Sequence, residues 1–499
     1  MSEIVADEPR GKQEPPAPAG ADPTVLALAG VTAVSTALLV RFLLLKYESA
    51  DWYYFLGPWY RYISDNGGFG ALGDTAFSDY NVPYLYFMAA LTYLPVPGLT
   101  GIKYVSVVFD LILAAYTYRI VALRWRHRPW RPFAAAVIVL FLPTVVTNSG
   151  WWGQADGVFT AFLVGGVYYV LRERPWWACS FFGVALAFKL QAVFLFPLLL
   201  VLLLTRRIPW RSLLAVPAVY LLLDVPAFLL GSDPWKLLTV YTRQTGVYQD
   251  LTLLAPSVYQ FVSVPAGEEA PVRRAGVVVA GVLVLALVAL AVRSGRRAGT
   301  AEGTGTAAAS DPAAVPGRGT AGRRTAGRGT AGRAAFTGTQ ILLLAALFSI
   351  AVPFLLPSMH ERYFYLADIL SVIVAFQLPR QLWYVPVLVQ LSSFGSYLKF
   401  IAPDVAPYLS MPAHGVLMLL ALMAVLRATV QEFRAGERPA AGPLAGPGTA
   451  GLVGPRTGSR APVPSPSPAP SPSPSPSSPS ASPDGLRTDA ARTDAAERP

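Results

Sequence analysis

The sequence contains few of the residues that disulfide bonds and metal sites require. Only one of the 499 residues is a cysteine, Cys179, and it lies in an apolar stretch. A single cysteine excludes a disulfide framework and a cysteine-based metal site. The three histidines, His127, His360 and His414, are widely separated, and the acids of the first polar loop form no Asp-x-Asp pair. We therefore predict a protein that acts without a metal or another cofactor.

Charged residues are also scarce, at 14% of the chain, whereas 54% of the residues are hydrophobic. The apolar residues form repeated runs, and a helix needs about 20 such residues to cross the hydrocarbon core of a bilayer. The net charge of +11 comes from basic residues that flank these runs or lie in low-complexity segments. The composition therefore predicts an all-α polytopic protein of the plasma membrane, without a nucleic-acid partner.

Twelve apolar segments are predicted to span the membrane. They are 25–45, 101–123, 132–148, 154–171, 176–188, 190–204, 211–230, 275–293, 340–357, 363–378, 382–401 and 413–427. The first segment lacks a small-residue cleavage site, so we interpret it as a retained anchor. An even number of spans places both termini on one side, and 28 of the 40 lysines and arginines then lie there. The positive-inside rule makes that side cytoplasmic.

Polar segments divide the chain further. Composition predicts a disordered N-terminus at 1–24, a disordered linker with an imperfect TAGR repeat at 294–339, and a Pro/Ser/Ala-rich disordered tail at 428–499. The remaining parts are an N-terminal transmembrane catalytic module at 25–293 and a C-terminal transmembrane module at 340–427.

Two apolar regions do not fit one span each. Residues 83–95 are too few to cross and are bounded by prolines, so we predict an amphipathic helix at the outer interface. Residues 176–204 would form a helix of about 43 Å with arginines at both ends. A hairpin with its turn at 188–191 fits better. Irregular backbone at this depth must face protein or a wet cavity, so Lys189 is predicted to face a cavity, although it could also snorkel to the interface.

The outer face carries the polar residues that could do chemistry. The loop at 46–95 contains five acids, including Asp51 just beyond the first span, and WWGQAD follows at 151–156. Position alone favours equally a catalytic carboxylate and an ordinary helix-end carboxylate at Asp51. Asp79 could cap the helix that follows it. The tryptophans at 151 and 152 could form part of an interfacial aromatic belt.

Five of these motifs together resemble a known family. In order, they are Asp51 with FLGPWY, then SDYNVPYLY, WWGQAD, FKLQAVFLFP and MHERYFY. They resemble bacterial relatives of the GPI mannosyltransferases, which are membrane glycosyltransferases of the GT-C superfamily that use polyprenyl-phosphate sugars. The resemblance runs from about residue 25 to 425, apart from the linker. It implies a GT-C fold with interfacial helices in an extracytoplasmic first loop.

The resemblance also implies a reaction. A hexose, with mannose as the expected one, passes from a lipid-linked sugar donor to an acceptor hydroxyl with inversion, on the extracytoplasmic face. Such transfer needs a carboxylate to accept the hydroxyl proton and cations or donors for the departing phosphate. Asn81 and Val82 precede Pro83 where relatives often have two prolines, which leaves the role of Asp79 open.

These arguments give a set of candidate site residues. Asp51 is the candidate general base. The candidate acceptor or sugar contacts are Asp79, Tyr80, Trp152, Gln154 and Asp156. The candidate contacts of the lipid phosphate are Lys189, Gln191, His360 and Arg362. The acceptor could be a glycolipid, a polysaccharide or a protein.

Two other classes of protein remain possible from the sequence. A transporter or flippase for a lipid-linked sugar would share the topology and the cavity cations, but it would favour internally repeated halves, and the sequence shows no such repeat. A membrane scaffold would not explain the acidic outer loops.

Overall fold

The computed structural model describes residues 22–244, 248–265, 267–307 and 336–436. Residues 1–21 and 437–499 of the predicted disordered segments lie outside these residues. Residues 428–436 continue the last helix, Met411–Gly436, so the predicted start of the tail at 428 differs from the structure. Within them, the α-helices are α1 Pro23–Leu44, α2 Gly57–Asp65, α3 Val82–Leu91, α4 Gly98–Arg124, α5 Trp130–Phe141, α6 Pro143–Val146, α7 Asp156–Leu171, α8 Pro175–Phe188, α9 Phe196–Leu204, α10 Ala215–Leu229, α11 Pro234–Leu238, α12 Val240–Gln244, α13 Glu269–Ala307, α14 Gly338–Leu355, α15 Tyr365–Gln377, α16 Pro379–Leu382, α17 Val385–Ile401 and α18 Met411–Gly436.

Shorter elements connect these helices. Two are π-helical turns, at Trp52–Leu56 and Thr147–Trp152, and the 3₁₀ turns are Gly68–Gly73, Leu190–Leu195, Trp210–Leu214, Val258–Phe261 and Ala406–Tyr408. Two strands, β1 Thr252–Leu253 and β2 Met359–His360, pair in parallel. This pairing ties the loop before α13 to the turn between α14 and α15.

The prediction of a multi-span helical membrane protein is confirmed. Six helices of the described residues are long and apolar enough to cross a bilayer, and a seventh span results if Trp130–Phe141 and Pro143–Trp152, which are bent by 50°, are counted as one. The predicted count of twelve is not confirmed. The other five predicted spans coincide with apolar helices of 10 to 17 residues, which are shorter than the roughly 20 residues that a crossing requires.

Helix α14 forms the centre of the molecule. Every residue from Gln340 to Phe354 is buried, as expected for a helix that is apolar on all sides. Its start is fixed by a capping box in which Thr337 and Gln340 exchange hydrogen bonds. Because α14 packs against α7, α9 and α13 as well as α15 and α18, the two predicted transmembrane modules share one core.

The break predicted within 176–204 lies at Lys189. Helix α8 ends at Phe188, Lys189 has an extended backbone, and the 3₁₀ turn Leu190–Leu195 leads into α9. The predicted start of the linker differs from the structure, since α13 continues from Glu269 through position 294 to Ala307. The rest of that linker, at 308–335, lies outside the described residues.

The predicted amphipathic character of the helix at 83–95 is wrong. Helix α3 is buried on nearly all sides and packs against α4, α8 and α10. Its sequence, VPYLYFMAAL, is apolar around the whole helix and not along one stripe, so protein and not headgroups surrounds it. Asn81, and not Asp79, occupies the N-cap position.

Charges inside the helical bundle have different kinds of partner. Arg41 of α1 and Asp110 of α4 form a buried ion pair with an N–O distance of 2.9 Å, as expected for charges in spans. Asp224 and Asp368 accept hydrogen bonds from the neutral side chains of Asn81 and Ser393. Arg119 is exposed and lies over the ring of Tyr116.

Candidate active site

Asp51 lies at the start of the first π-helical turn, Trp52–Leu56, which continues directly into α2. A Cβ atom at Gly57 would lie only 2.7 Å from the carbonyl oxygen of Trp52, so this turn requires glycine there. Isolated π turns within helices are frequent at functional sites, because they change the direction of a side chain. The turn therefore sets the direction of the Asp51 carboxylate.

The second π-helical turn, Thr147–Trp152, and the residues that follow it contain the partners of Asp51. It ends at Gly153, whose φ of 77° is a conformation that favours glycine. Trp152 Nε1 donates to Asp51 Oδ2 at 2.9 Å, and Gln154 Nε2 donates to the same oxygen. Both donors converge on Oδ2, and neither donates to Oδ1.

Two buried side chains fix the backbone before Asp51. Ser49 donates its hydroxyl to the carbonyl of Trp152 and accepts from the amide of Trp52. The fully buried Lys103 of α4 donates to the carbonyls of Leu44, Leu45 and Tyr47. The carbonyls of Leu44 and Leu45 end α1 and that of Tyr47 follows it, so the ammonium group contacts acceptors at a helix end that lack an intrahelical partner.

We expect Lys103→Met to misplace Asp51. Loss of hydrogen bonds from a charged donor costs about 1.5–3 kcal/mol each, and a small displacement of a catalytic group can lower the rate about 100-fold. Sugar transfer should fall more steeply than the thermal midpoint of the purified protein. The matched control is Lys46→Met, because Lys46 lies on the loop that carries Asp51 and its side chain is exposed. Equal activity in the two variants would refute the positioning role.

Asp156, at the start of α7, joins the Thr147–Trp152 turn to Lys189. Its Oδ1 accepts from Lys189 Nζ at 2.5 Å, and its Oδ2 accepts from Asn148 Nδ2 at 2.9 Å. Asp156 is 1% exposed and Lys189 is 6% exposed, so the ion pair is shielded from solvent. Removal of one partner of such a pair destabilises the protein, since it leaves a buried charge without its partner.

Arg362 links the carboxylates of the site. Its NH1 lies 2.7 Å from Glu361 Oε1 and 3.9 Å from Asp51 Oδ2, and its Nε lies 3.9 Å from Asp156 Oδ2. Its guanidinium carbon also lies 5.5 Å from the centre of the Trp152 ring. Burial alone would raise the pKa of Glu361, but Arg362 and His360 together lower it. Glu361 is therefore an ionised, buried partner that holds Arg362.

His360 is held by strand β2 and by two tyrosine rings, those of Tyr248 and Tyr363. Its Nδ1 lies 3.5 Å from Glu361 Oε2. Burial, together with the nearby positive charge of Arg362, lowers the pKa of His360, although Glu361 opposes this shift. The imidazole is therefore neutral at neutral pH and can donate one hydrogen bond.

The lowered pKa of His360 predicts a pH dependence of stability. The unfolded chain, with an ordinary histidine pKa of about 6.5, binds a proton that the folded protein does not, so stability falls as the pH decreases below about 7. We expect the thermal midpoint of the wild type to fall between pH 7.5 and 5 more steeply than that of His360→Gln. Parallel midpoints for the two proteins would contradict this role of His360.

The candidate residues surround a cavity of about 940 Å³. Seven of the ten predicted site residues line it, namely Asp51, Asp79, Tyr80, Lys189, Gln191, His360 and Arg362. The other three, Trp152, Gln154 and Asp156, are at most 2% exposed and lie behind the wall, where they contact Asp51, Lys189 and Arg362. Tyr80 donates to Gln154, and burial raises the pKa of its phenol, so it stays protonated. Asp79 is exposed.

Several residues of the site were not identified from the sequence. They are Lys103, Ser49, Asn148 and Glu361. Their roles depend on burial or on contacts that only the folded chain makes, and no local motif shows either. Lys103 carries a partial signal, since a lysine within an apolar segment needs buried acceptors. Among the described residues, no group of three or more acids, histidines or cysteines could hold a metal ion.

With this geometry in place, the chain can be compared with known proteins. Residues 77–310 match the model of glycosyltransferase family 87, a GT-C family, which confirms the predicted resemblance to GT-C glycosyltransferases. No curated protein matches the sequence. Among solved structures, the chain is similar to the crystal structure of ArnT from Cupriavidus metallidurans bound to undecaprenyl phosphate. The TM-score is 0.45 at 13% identity, over 82% of this chain and 78% of that chain.

Proposed function

We propose that the protein is an integral membrane glycosyltransferase that moves a hexose from a polyprenyl-phosphate sugar to an acceptor hydroxyl. The match to glycosyltransferase family 87 supports the reaction class. The observation that carries the mechanism is the Asp51 carboxylate, which lines a cavity inside a bundle of apolar helices and presents one oxygen without a donor from Trp152 or Gln154.

Asp51 acts as the general base of a single displacement. Its Oδ1 accepts the proton of the acceptor hydroxyl as the hydroxyl oxygen attacks the anomeric carbon. The bond from that carbon to the phosphate oxygen breaks at the same time, and its electron pair leaves with the polyprenyl phosphate. Because attack and departure occur on opposite faces, the anomeric configuration inverts.

Other residues of the site position the reacting groups. Trp152 and Gln154, predicted as sugar contacts, act through Asp51 by holding its Oδ2, and Asp156 acts through Lys189. Tyr80 and Asp79, which line the cavity, contact the sugar or the acceptor. Lys189, Gln191, His360 and Arg362 donate hydrogen bonds to the phosphate side of the donor. Such donors stabilise charge that develops on a leaving group, so the proposed reaction needs no metal or other cofactor.

The site is proposed to face the extracytoplasmic side of the plasma membrane, with both termini in the cytoplasm. The distribution of lysine and arginine supports this orientation. Mannose is the proposed sugar, on the basis of the motif resemblance. The acceptor is a glycolipid, a polysaccharide or a protein.

The test is sugar transfer by the purified full-length protein in detergent, with radiolabelled polyprenyl-phosphate mannose and a membrane-lipid extract. We expect label in a new product, reversal of the anomeric configuration, and no effect of a chelator. Transfer with retained configuration would overturn the single displacement. No transfer from mannose, glucose or galactose donors would overturn the proposed activity.

A further inference from the structure

The charges near Asp51 do not supply a net counter-charge for a phosphate. Asp51, Asp156 and Glu361 surround Arg362, and Asp156 also pairs with Lys189. When these groups are ionised, three negative charges face two positive ones, and His360 is neutral. A polyprenyl-phosphate sugar carries a negative phosphate, so this deep cluster repels it unless another cation compensates.

The cavity has two further cations, on α13. Arg273 and Arg274 line it, and within the described part of the chain neither has a carboxylate at ion-pair distance. Arg273 donates to the carbonyl of Tyr248 and to Gln249 Oε1, which are neutral acceptors. Arg274 is exposed. Among the described residues, the acids nearest in sequence, Glu268 and Glu269, form no ion pair with either arginine.

An apolar groove continues from the cavity along the same helix. The groove has a volume of about 590 Å³, and all its lining residues are apolar, from α9, α10, α13 and the turns before α9 and α10. Val193 lines both the cavity and the groove. On α13, Arg274 and Val277 line the cavity, whereas Val284, Leu285 and Val288 line the groove. Their spacing places them along one face of the helix.

Gly281 lies on α13 between the cavity part and the groove part of this face. A Cβ atom built there would meet nothing within 4 Å, so the space beside this position is open. From Val277 to Val288 the helix rises about 16 Å, which is long enough for several isoprene units. A cationic end followed by an aliphatic channel is complementary to a lipid that carries one anionic phosphate.

We propose that Arg273 and Arg274 bind the phosphate of the lipid-linked donor and that its isoprenoid tail lies in the groove along α13. This assignment rests on the proposed function. It adds two cations to the proposed phosphate contacts Lys189, Gln191, His360 and Arg362, because Lys189 and Arg362 already pair with carboxylates.

The test measures binding of undecaprenyl phosphate, without a sugar, to the purified full-length protein. We expect Arg273→Gln/Arg274→Gln to weaken binding about tenfold or more and to reduce its salt dependence, because charge-assisted contacts to phosphate are lost. Arg274→Gln alone should weaken binding without lowering the thermal midpoint. Arg273→Lys/Arg274→Lys should keep most of the affinity. The matched control is Arg293→Gln, on the same helix but outside the cavity and the groove.

A second variant tests the groove. Gly281→Trp should weaken binding of undecaprenyl phosphate but not of dimethylallyl phosphate, whose single isoprene unit does not reach the groove. Wild-type affinity in the double glutamine variant would overturn the proposal, as would equal competition by inorganic phosphate or by phosphatidylglycerol. Since the assay contains no sugar, binding in a protein that transfers nothing would overturn the proposed function and leave this site intact.

Discussion

Asp51→Asn is expected to lower the rate of sugar transfer by about 10² to 10⁴, the usual contribution of a general base. The amide has the size of the carboxylate, but it cannot accept the acceptor proton at neutral pH. Its oxygen can still accept a hydrogen bond from Trp152 Nε1 or Gln154 Nε2, so the loop should keep its position. The measurement is the initial rate at saturating donor, together with the thermal midpoint.

The control for this prediction is Asp65→Asn. Asp65 ends α2 in the same loop, is exposed, and does not line the cavity. The Asp65→Asn variant should transfer sugar at the wild-type rate. Wild-type activity in Asp51→Asn, with loss of activity in Asp79→Asn instead, would move the base to Asp79.

Arg362→Met is expected to destabilise the protein by about 3–5 kcal/mol and to abolish transfer. Removal of the guanidinium leaves Glu361, which is 1% exposed, without its partner at 2.7 Å, and a buried unpaired charge is strongly unfavourable. The same change removes the cation that lies 3.9 Å from both Asp51 and Asp156. The measurement is chemical unfolding of the purified protein in detergent.

Two comparisons separate this effect from a general effect of losing an arginine. Arg207→Met removes an ion pair to Glu173, whose side chain is 67% exposed, so its cost should not exceed about 1 kcal/mol. Glu361→Gln/Arg362→Met removes both charges and should recover part of the stability without restoring transfer. A double variant no more stable than Arg362→Met would show that Glu361 is not the partner that matters.

The sequence was sufficient for the helical architecture because long apolar runs are a strong local signal. It also predicted the break at Lys189, since a largely apolar segment of 29 residues with arginines at both ends is too long for one span and fits a hairpin. It failed for α3, where shortness and flanking prolines suggested an amphipathic helix. The apolar circumference of that helix, which the length argument ignored, explains why it is buried.

The candidate site was likewise predictable from the sequence only in part. Motifs in polar outer loops drew attention to Asp51, Lys189 and Arg362, which line one cavity. Their partners were not predictable, because Glu361 is distinguished only by burial and Lys103 only by carbonyls 56 to 59 positions away. In the sequence, Arg273 and Arg274 resemble the basic residues that commonly flank a membrane span. Their position at the cavity depends on how α13 packs, which the sequence does not state.

The most direct test of the central claim follows one radiolabel in proteoliposomes that contain polyprenyl-phosphate mannose and a lipid acceptor. Transfer of the label to the acceptor and movement of the donor between leaflets are measured in the same sample, for the wild type and for Asp51→Asn. A glycosyltransferase with Asp51 as base predicts transfer by the wild type, none by the variant, and no protein-dependent movement in either. Equal movement of the donor by both proteins, without any transfer, would contradict the enzyme and identify a flippase.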